Sequence, residues 1–150
     1  MSAARPYVRS FYYRNGKFFE YGSKLVAYSI RFTGGVSVAS ANINTSPAEE
    51  LIIAPLSKAV SSVKEFSNIS QQWSQIGTYQ AFSSKYRGGA VAAAIDYNFD
   101  GRDEILTAIN SDSQPYIKIK SADGKTLLRK FLAFSHRWVK GINVAVGEKR

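Results

Sequence analysis

Thr33-Gly34-Gly35-Val36-Ser37-Val38-Ala39 returns as Arg87-Gly88-Gly89-Ala90-Val91-Ala92-Ala93 and again as Val139-Lys140-Gly141-Ile142-Asn143-Val144-Ala145. From Gly35 to Gly89 is 54 residues, and from Gly89 to Gly141 is 52. A second marker keeps the step: Ala27-Tyr28-Ser29, Ala81-Phe82-Ser83 and Ala133-Phe134-Ser135 also lie 54 and then 52 residues apart. A fixed period of several tens of residues marks solenoids, propellers and arrays, in which one unit cannot bury its own apolar face and stacking of neighbours does so.

The chain of 150 residues is 45% hydrophobic and 13% aromatic, which argues for a folded core and against disorder. It has no cysteine, which excludes disulfide scaffolds and thiolate metal sites. Met1 to Pro6 hold no apolar stretch of signal-peptide length, and no run approaches the ~18 apolar residues of a membrane span. A soluble chain without a membrane span is expected. Lysine and arginine outnumber aspartate and glutamate by 20 to 11, a formal charge of +9, and the excess is greatest from Pro115 onward. Such a field attracts nucleic acid, anionic lipid or acidic glycans. Its spread over several predicted strands also fits an ordinary solvated surface.

Within a unit the pattern is short strands and turns, without helical periodicity. The third unit predicts strands at Ala90 to Ile95, Glu104 to Ile109, Pro115 to Lys120 and Leu127 to Phe134, with an acidic loop from Asp96 to Asp103 and a tight Asp123-Gly124 hairpin. The second predicts Val36 to Ala41, Leu51 to Ala54, Val63 to Ser67 and Ile76 to Phe82, with a longer last turn over Asn68 to Trp73. Pro6-Tyr7-Val8-Arg9 matches Pro115-Tyr116-Ile117-Lys118, and Asn15-Gly16-Lys17 matches Asp123-Gly124-Lys125, so the chain opens in the third strand of a unit. It closes on a lone first strand, Ile142 to Gly147. Eleven strands are expected, in a partial unit 6–34, full units 35–88 and 89–140, and a remnant 141–150. The first strands are built from small residues, as needed where propeller blades crowd around a central axis.

The stretch from Phe82 through Gly88-Gly89 and the strand Ala90 to Ile95, then Asp96-Tyr97-Asn98-Phe99-Asp100-Gly101-Arg102-Asp103-Glu104, resembles the FG-GAP or VCBS repeat of integrin heads and bacterial surface proteins. The resemblance implies an all-β fold of four-stranded antiparallel propeller blades, an extracellular or cell-surface setting, and calcium in the acidic loop. The loop is legible in its own right. Asp96, Asn98 and Asp100 alternate so that three oxygen-bearing side chains can turn to one centre, Gly101 permits the bend, and the Arg102 carbonyl with Glu104 could complete the shell of 6–8 oxygens that calcium takes. An Asx-rich turn held by its own hydrogen bonds is the alternative. Two residues depart from the family: Phe99 stands where glycine is usual, and Glu104 replaces aspartate, with Asp103 beside it as a substitute. In the second unit Asn42, Asn44, Ser46, Pro47 and Glu50 take the matching places, with one carboxylate and no turn glycine, so no calcium is expected there.

No catalytic constellation emerges, and a non-enzyme is expected. The single histidine, His136, has no nucleophile or orienting carboxylate at a recognisable spacing. Gly34-Gly35 and Gly88-Gly89 precede strands, unlike phosphate-cradling loops, which open helices. Tyr12, Tyr13, Phe18, Phe19 and Tyr21 near the start, with Trp73 and Trp138 in connecting segments, suit packing between blades, and also stacking on sugar rings or on single-stranded nucleic acid.

Propellers close with ~4–8 blades, more than eleven strands supply. A homo-oligomer, a dimer first, is expected to complete the ring, the terminal strand of one copy joining the opening strands of the next. The functional classes are a noncatalytic binding or adhesion module directed at a glycan or surface protein, a structural fragment of a longer protein or an engineered assembly unit with no ligand, and, third, a polyanion or nucleic-acid binder.

Overall fold

The computed structural model describes residues 7–147; Pro6 of the opening match, the rest of Met1 to Pro6, and Glu148 to Arg150 of the remnant lie outside the described residues. Among the described residues there are ten strands and no helix. All pairings within the sheets are antiparallel. A hairpin of β1 (Tyr7–Arg14) and β2 (Lys17–Val26) forms the first sheet. The second is a meander of β3 (Val36–Ala41), β4 (Glu50–Pro55), β5 (Ser62–Ile69) and β6 (Gln72–Gln80). The third repeats it with β7 (Ala90–Ile95), β8 (Glu104–Ile109), β9 (Tyr116–Lys120) and β10 (Leu127–Leu132). The three sheets are open, and no described helix is long and apolar enough to cross a membrane.

Stacking buries what each sheet cannot cover alone. Between the second and third sheets lie Ala41, Ile52, Ala54 and Val63 against Ala90, Ala92, Ile105 and Ile109. Between the first and second lie Leu25 and Ala27 against Ile53 and Phe66, with Trp73 packed on them. At roughly 25 cal/mol per Å² of apolar surface, each fully buried isoleucine contributes about 2 kcal/mol.

The paired glycines act as two different devices. A Cβ on Gly34 or Gly88 would run into the backbone oxygen of Ser57 or Ser111, so the first glycine permits close approach. The second takes the left-handed conformation, with φ of 74° at Gly35, 80° at Gly89 and 84° at Gly141. A Cβ on Gly89 would meet the Leu56 backbone, and one on Gly141 the Asn110 backbone, each in the preceding unit.

Three expectations are corrected. The eleventh strand does not form: Ile142 donates its N–H to the Ile109 carbonyl at 3.1 Å and packs on Ala108 and Ile117, but 142–147 pairs with no second strand and stays irregular. The turn lengths are also reversed. Ile69 faces Gln72 across a two-residue turn, with Ser70 and Gln71 at φ 53° and 66°, whereas Asp123-Gly124 sits within the longer connection between Lys120 and Leu127. Left-handed Ser70 and Gln71 are locally unfavourable; the Gln71 carbonyl accepts the Ser23 N–H of the first sheet at 3.2 Å, a tertiary bond that helps offset the cost. Trp73 is consequently part of β6 and not of a connecting segment.

Candidate functional site

Each strand runs from one end of the stack to the other, so the loops sort into two sets. The β3–β4 loop (42–49), the β7–β8 loop (96–103) and the hairpin turns share one end. The expected calcium loop lies there, between a small-residue strand and β8.

Its side chains are ordered by backbone N–H groups. Asp96 accepts from Asp100 N at 3.1 Å and Gly101 N at 2.9 Å; Asn98 Oδ1 accepts from Asp100 N at 2.9 Å; Asp100 Oδ1 accepts from Arg102 N at 2.9 Å. Glu104, nearly buried at the start of β8, accepts from Tyr97 N at 3.1 Å. Burial pushes its carboxyl above the usual range, Asp100 and Asp96 push the same way, and the loop hydrogen bonds oppose them. Phe99, its ring in solvent, has φ 61°, the backbone conformation that glycine favours. The structure thus brings Asp96, Asn98, Asp100 and Glu104 into one hydrogen-bonded loop with the Arg102 backbone.

Asp103 is committed elsewhere. It accepts the Asn42 N–H at 2.8 Å and donates its own N–H to the Asn42 carbonyl at 2.8 Å, while Asn42 Nδ2 reaches the Gly101 carbonyl at 3.0 Å. These three bonds strap the acidic loop to the corresponding loop of the second sheet, so Asp103 does not stand in for Glu104.

The donor types suit a hard cation, and the way they are satisfied differs between the two loops. In 96–104 the Asn98 amide nitrogen donates to Asp100 Oδ2 at 2.9 Å and to Glu104 Oε1 at 3.4 Å, standing between the carboxylates a cation would bridge. Among the described residues no three carboxylate or imidazole side chains converge as a ready metal cluster. A cation in this loop requires the Asn98 amide to move. In the second-unit loop Glu50 is fully enclosed, and both its carboxylate oxygens and Asn42 Oδ1 have no hydrogen-bond donor among the described residues. Buried polar atoms without partners are costly, and a bound cation or ordered water is the usual remedy. The sequence signal for this position was the 54-residue step from Glu50 to Glu104, which repeats a buried glutamate at the head of the second strand.

His136 is exposed in the turn before Arg137. Tyr12, Tyr13, Phe18, Phe19 and Tyr21 stay exposed on the hairpin, where Tyr12 stacks on Phe19 at 5.4 Å and Tyr13 meets Phe18 at 5.1 Å. Comparisons of the chain with protein-family models, curated proteins and solved structures find no match.

Proposed function

We propose that the chain is a noncatalytic binding module, a segment of an FG-GAP or VCBS-type β-propeller that associates with a second copy through its end faces and works outside the cell or on its surface. One observation carries this reading. Leu51, Ile53 and Val36 of the second sheet pack with the cluster facing the first, and their counterparts 54 residues on, Ile105, Thr107 and Ala90, follow the same alternation toward the second. Ile142, the counterpart of Ala90, lies against Ala108 of the third sheet in the same way. The same junction is therefore made repeatedly, always head to tail, and the outer faces of the first and third sheets present its two halves.

Those halves are apolar. Phe11, Tyr13 and Phe18 crowd the outward side of the hairpin, and Phe131, Trp138 and Val139 remain exposed beyond the third sheet. A heterologous contact of this kind closes into a ring when its rotation is right, and a second copy supplies the matching half. Calcium steadies the acidic loop in this reading, with Asp96, Asn98, Asp100, the Arg102 carbonyl and Glu104 as its ligands. Calcium levels outside cells suit such modules.

Light scattering tests the association. A discrete closed oligomer is expected, dissociating in Phe131→Lys and in Phe18→Lys. A wild-type monomer, or a mass unchanged in both variants, overturns the self-association.

A further inference from the structure

The loops at the other end of the stack have the opposite charge. Segments 27–35, 56–61, 81–89, 110–115 and 133–141 contain Arg31, Lys58, Lys85, Arg87, Arg137 and Lys140 against Asp112 alone. All six cations are exposed. The two ion pairs found among the described residues, Arg9 with Glu20 and Lys125 with Asp123, are both elsewhere. At the acidic end, turns and loops 15–16, 42–49, 70–71, 96–103 and 121–126 hold Glu49, Asp96, Asp100, Asp103 and Asp123 against Arg102 and Lys125. The molecule is thus polarised along its strands, with uncompensated positive charge gathered at one end, where like charges repel until an anion arrives.

Three of these cations sit on one repeated turn. Phe32, Tyr86 and Trp138 donate their N–H groups to the carbonyls of Ser29, Ser83 and Ser135 at 2.8, 2.9 and 2.9 Å. Within each turn the serine Oγ accepts from the residue two further on, Arg31, Lys85 or Arg137, at 3.3, 3.3 and 3.4 Å. The flanking rings pair at 5.3, 5.9 and 5.5 Å. One rigid turn therefore presents one exposed cation in each unit. Between two units Lys58, Lys85 and Arg87 line a hollow of about 690 Å³ with Ser83 and Ser111, and Asp112 is its sole carboxylate.

We propose that this end binds an acidic polysaccharide, its regularly spaced sulfate or carboxylate groups meeting Arg31, Lys85 and Arg137 in successive units and one such group entering the hollow between Lys58, Lys85 and Arg87. Single-stranded nucleic acid has the same charge, but its binding draws also on base stacking against open rings. Here Tyr28 lies between Phe32 and Lys64, and Phe82 between Tyr86 and Lys118, with the lysine nitrogens 5.1 and 5.0 Å from the ring centres. The hydroxyls of Tyr28 and Tyr86 are taken up by backbone carbonyls. The first two turns offer charge without a stacking platform. This inference rests on the binding-module reading and names its ligand class; it does not need the ring to close, because the hollow lies within one chain.

The test measures binding of a fluorescent heparin fragment and of oligo-dT across a salt series. The triple variant Lys58→Ala, Lys85→Ala, Arg87→Ala is compared with a charge-matched control on the hairpin, Arg14→Ala, Lys17→Ala, Lys24→Ala. With about 0.7–0.9 of salt slope lost per contact, the first triple is expected to weaken heparin binding about tenfold or more and flatten the slope by about two, while the control stays within about twofold. Lys85→Arg, which keeps the charge, retains binding. Equal losses in both triples would mean that net charge alone attracts the polymer. Absence of heparin binding by the wild-type chain, or tighter binding of oligo-dT than of heparin at matched salt, also overturns the proposal. Light scattering on the same variants separates loss of this site from loss of self-association.

Discussion

Glu65 is placed to make folding stability depend on pH near neutrality. It lies on β5 opposite Gly77, only 5% exposed, with Oε1 lacking any donor among the described residues. A Cβ on Gly77 would collide with its carboxyl group, so the glycine makes the room that the side chain occupies. Burial is the main force raising its pKa from 4.5 to about 7; Asp123 adds to it and Lys125 opposes it. Below pH 4.5 both folded and unfolded chains hold the proton, and the neutral carboxyl costs nothing extra. Between 4.5 and about 7 the unfolded chain releases it while the folded chain keeps it. Stability then falls by 2.303RT per pH unit, about 3 kcal/mol over the window, and levels off above it. Glu65→Gln keeps the shape and removes the titration. Urea denaturation from about pH 4 to about pH 8 should show the variant gaining about 3 kcal/mol on the wild type as pH rises. Glu104, whose pKa is also raised, affects both proteins and cancels in the difference, while Asp123, held below 3.8, titrates outside the window. Parallel stability curves for the two proteins would refute the reasoning.

Gly16 and Gly89 share a left-handed backbone, with φ 77° and 80°, but only Gly89 has another unit's backbone against it. Gly16→Ala should cost about 1 kcal/mol in chemical denaturation and Gly89→Ala about 3 kcal/mol or more, so equal losses would mean that the close approach to Leu56 carries no energy. Asp96→Ala and Asp100→Ala should each abolish the calcium-dependent rise in melting temperature from the 96–104 loop, and a full rise retained in both would remove that loop from consideration. Asp103→Ala breaks the strap to Asn42 and should lower stability by about 1–3 kcal/mol, since the Asn42 N–H loses a charged acceptor; a neutral result in thermal melts would show the strap to be incidental.

The repeat markers were sufficient to divide the chain into 2, 4 and 4 strands, because alternation of side chains and turn residues is a local property that survives in every unit. What failed was set by other sheets. Ser70-Gln71 carries no hairpin signature, and its turn is supported through Ser23 of the first sheet; Asp123-Gly124 carries a strong signature but turns within a longer connection. Ile142 to Gly147 has the composition of a first strand but stays irregular, anchored by the Ile142 hydrogen bond to Ile109. In the acidic loop the spacing of Asp96, Asn98 and Asp100 was legible, whereas the diversion of Asp103 to Asn42 and the isolation of Glu50 depend on how two units meet.

The same dependence explains why the charge polarity follows from the repeat and was hidden in the overall excess of basic residues. A meander repeated in parallel units returns each loop type to the same end of the stack. A cation fixed at one register position therefore becomes a row, Arg31, Lys85 and Arg137, though these residues are more than 50 apart in sequence. Counting charge along the chain mixes the two ends, since Lys85 and Asp96 are eleven residues apart yet lie at opposite ends of β7. The third repeat adds to the charge at the basic end. Lys140 occupies the place of Gly34 and Gly88, which must be bare because Ser57 and Ser111 press on them. At this position Lys140 adds an exposed positive charge to the same end of the stack.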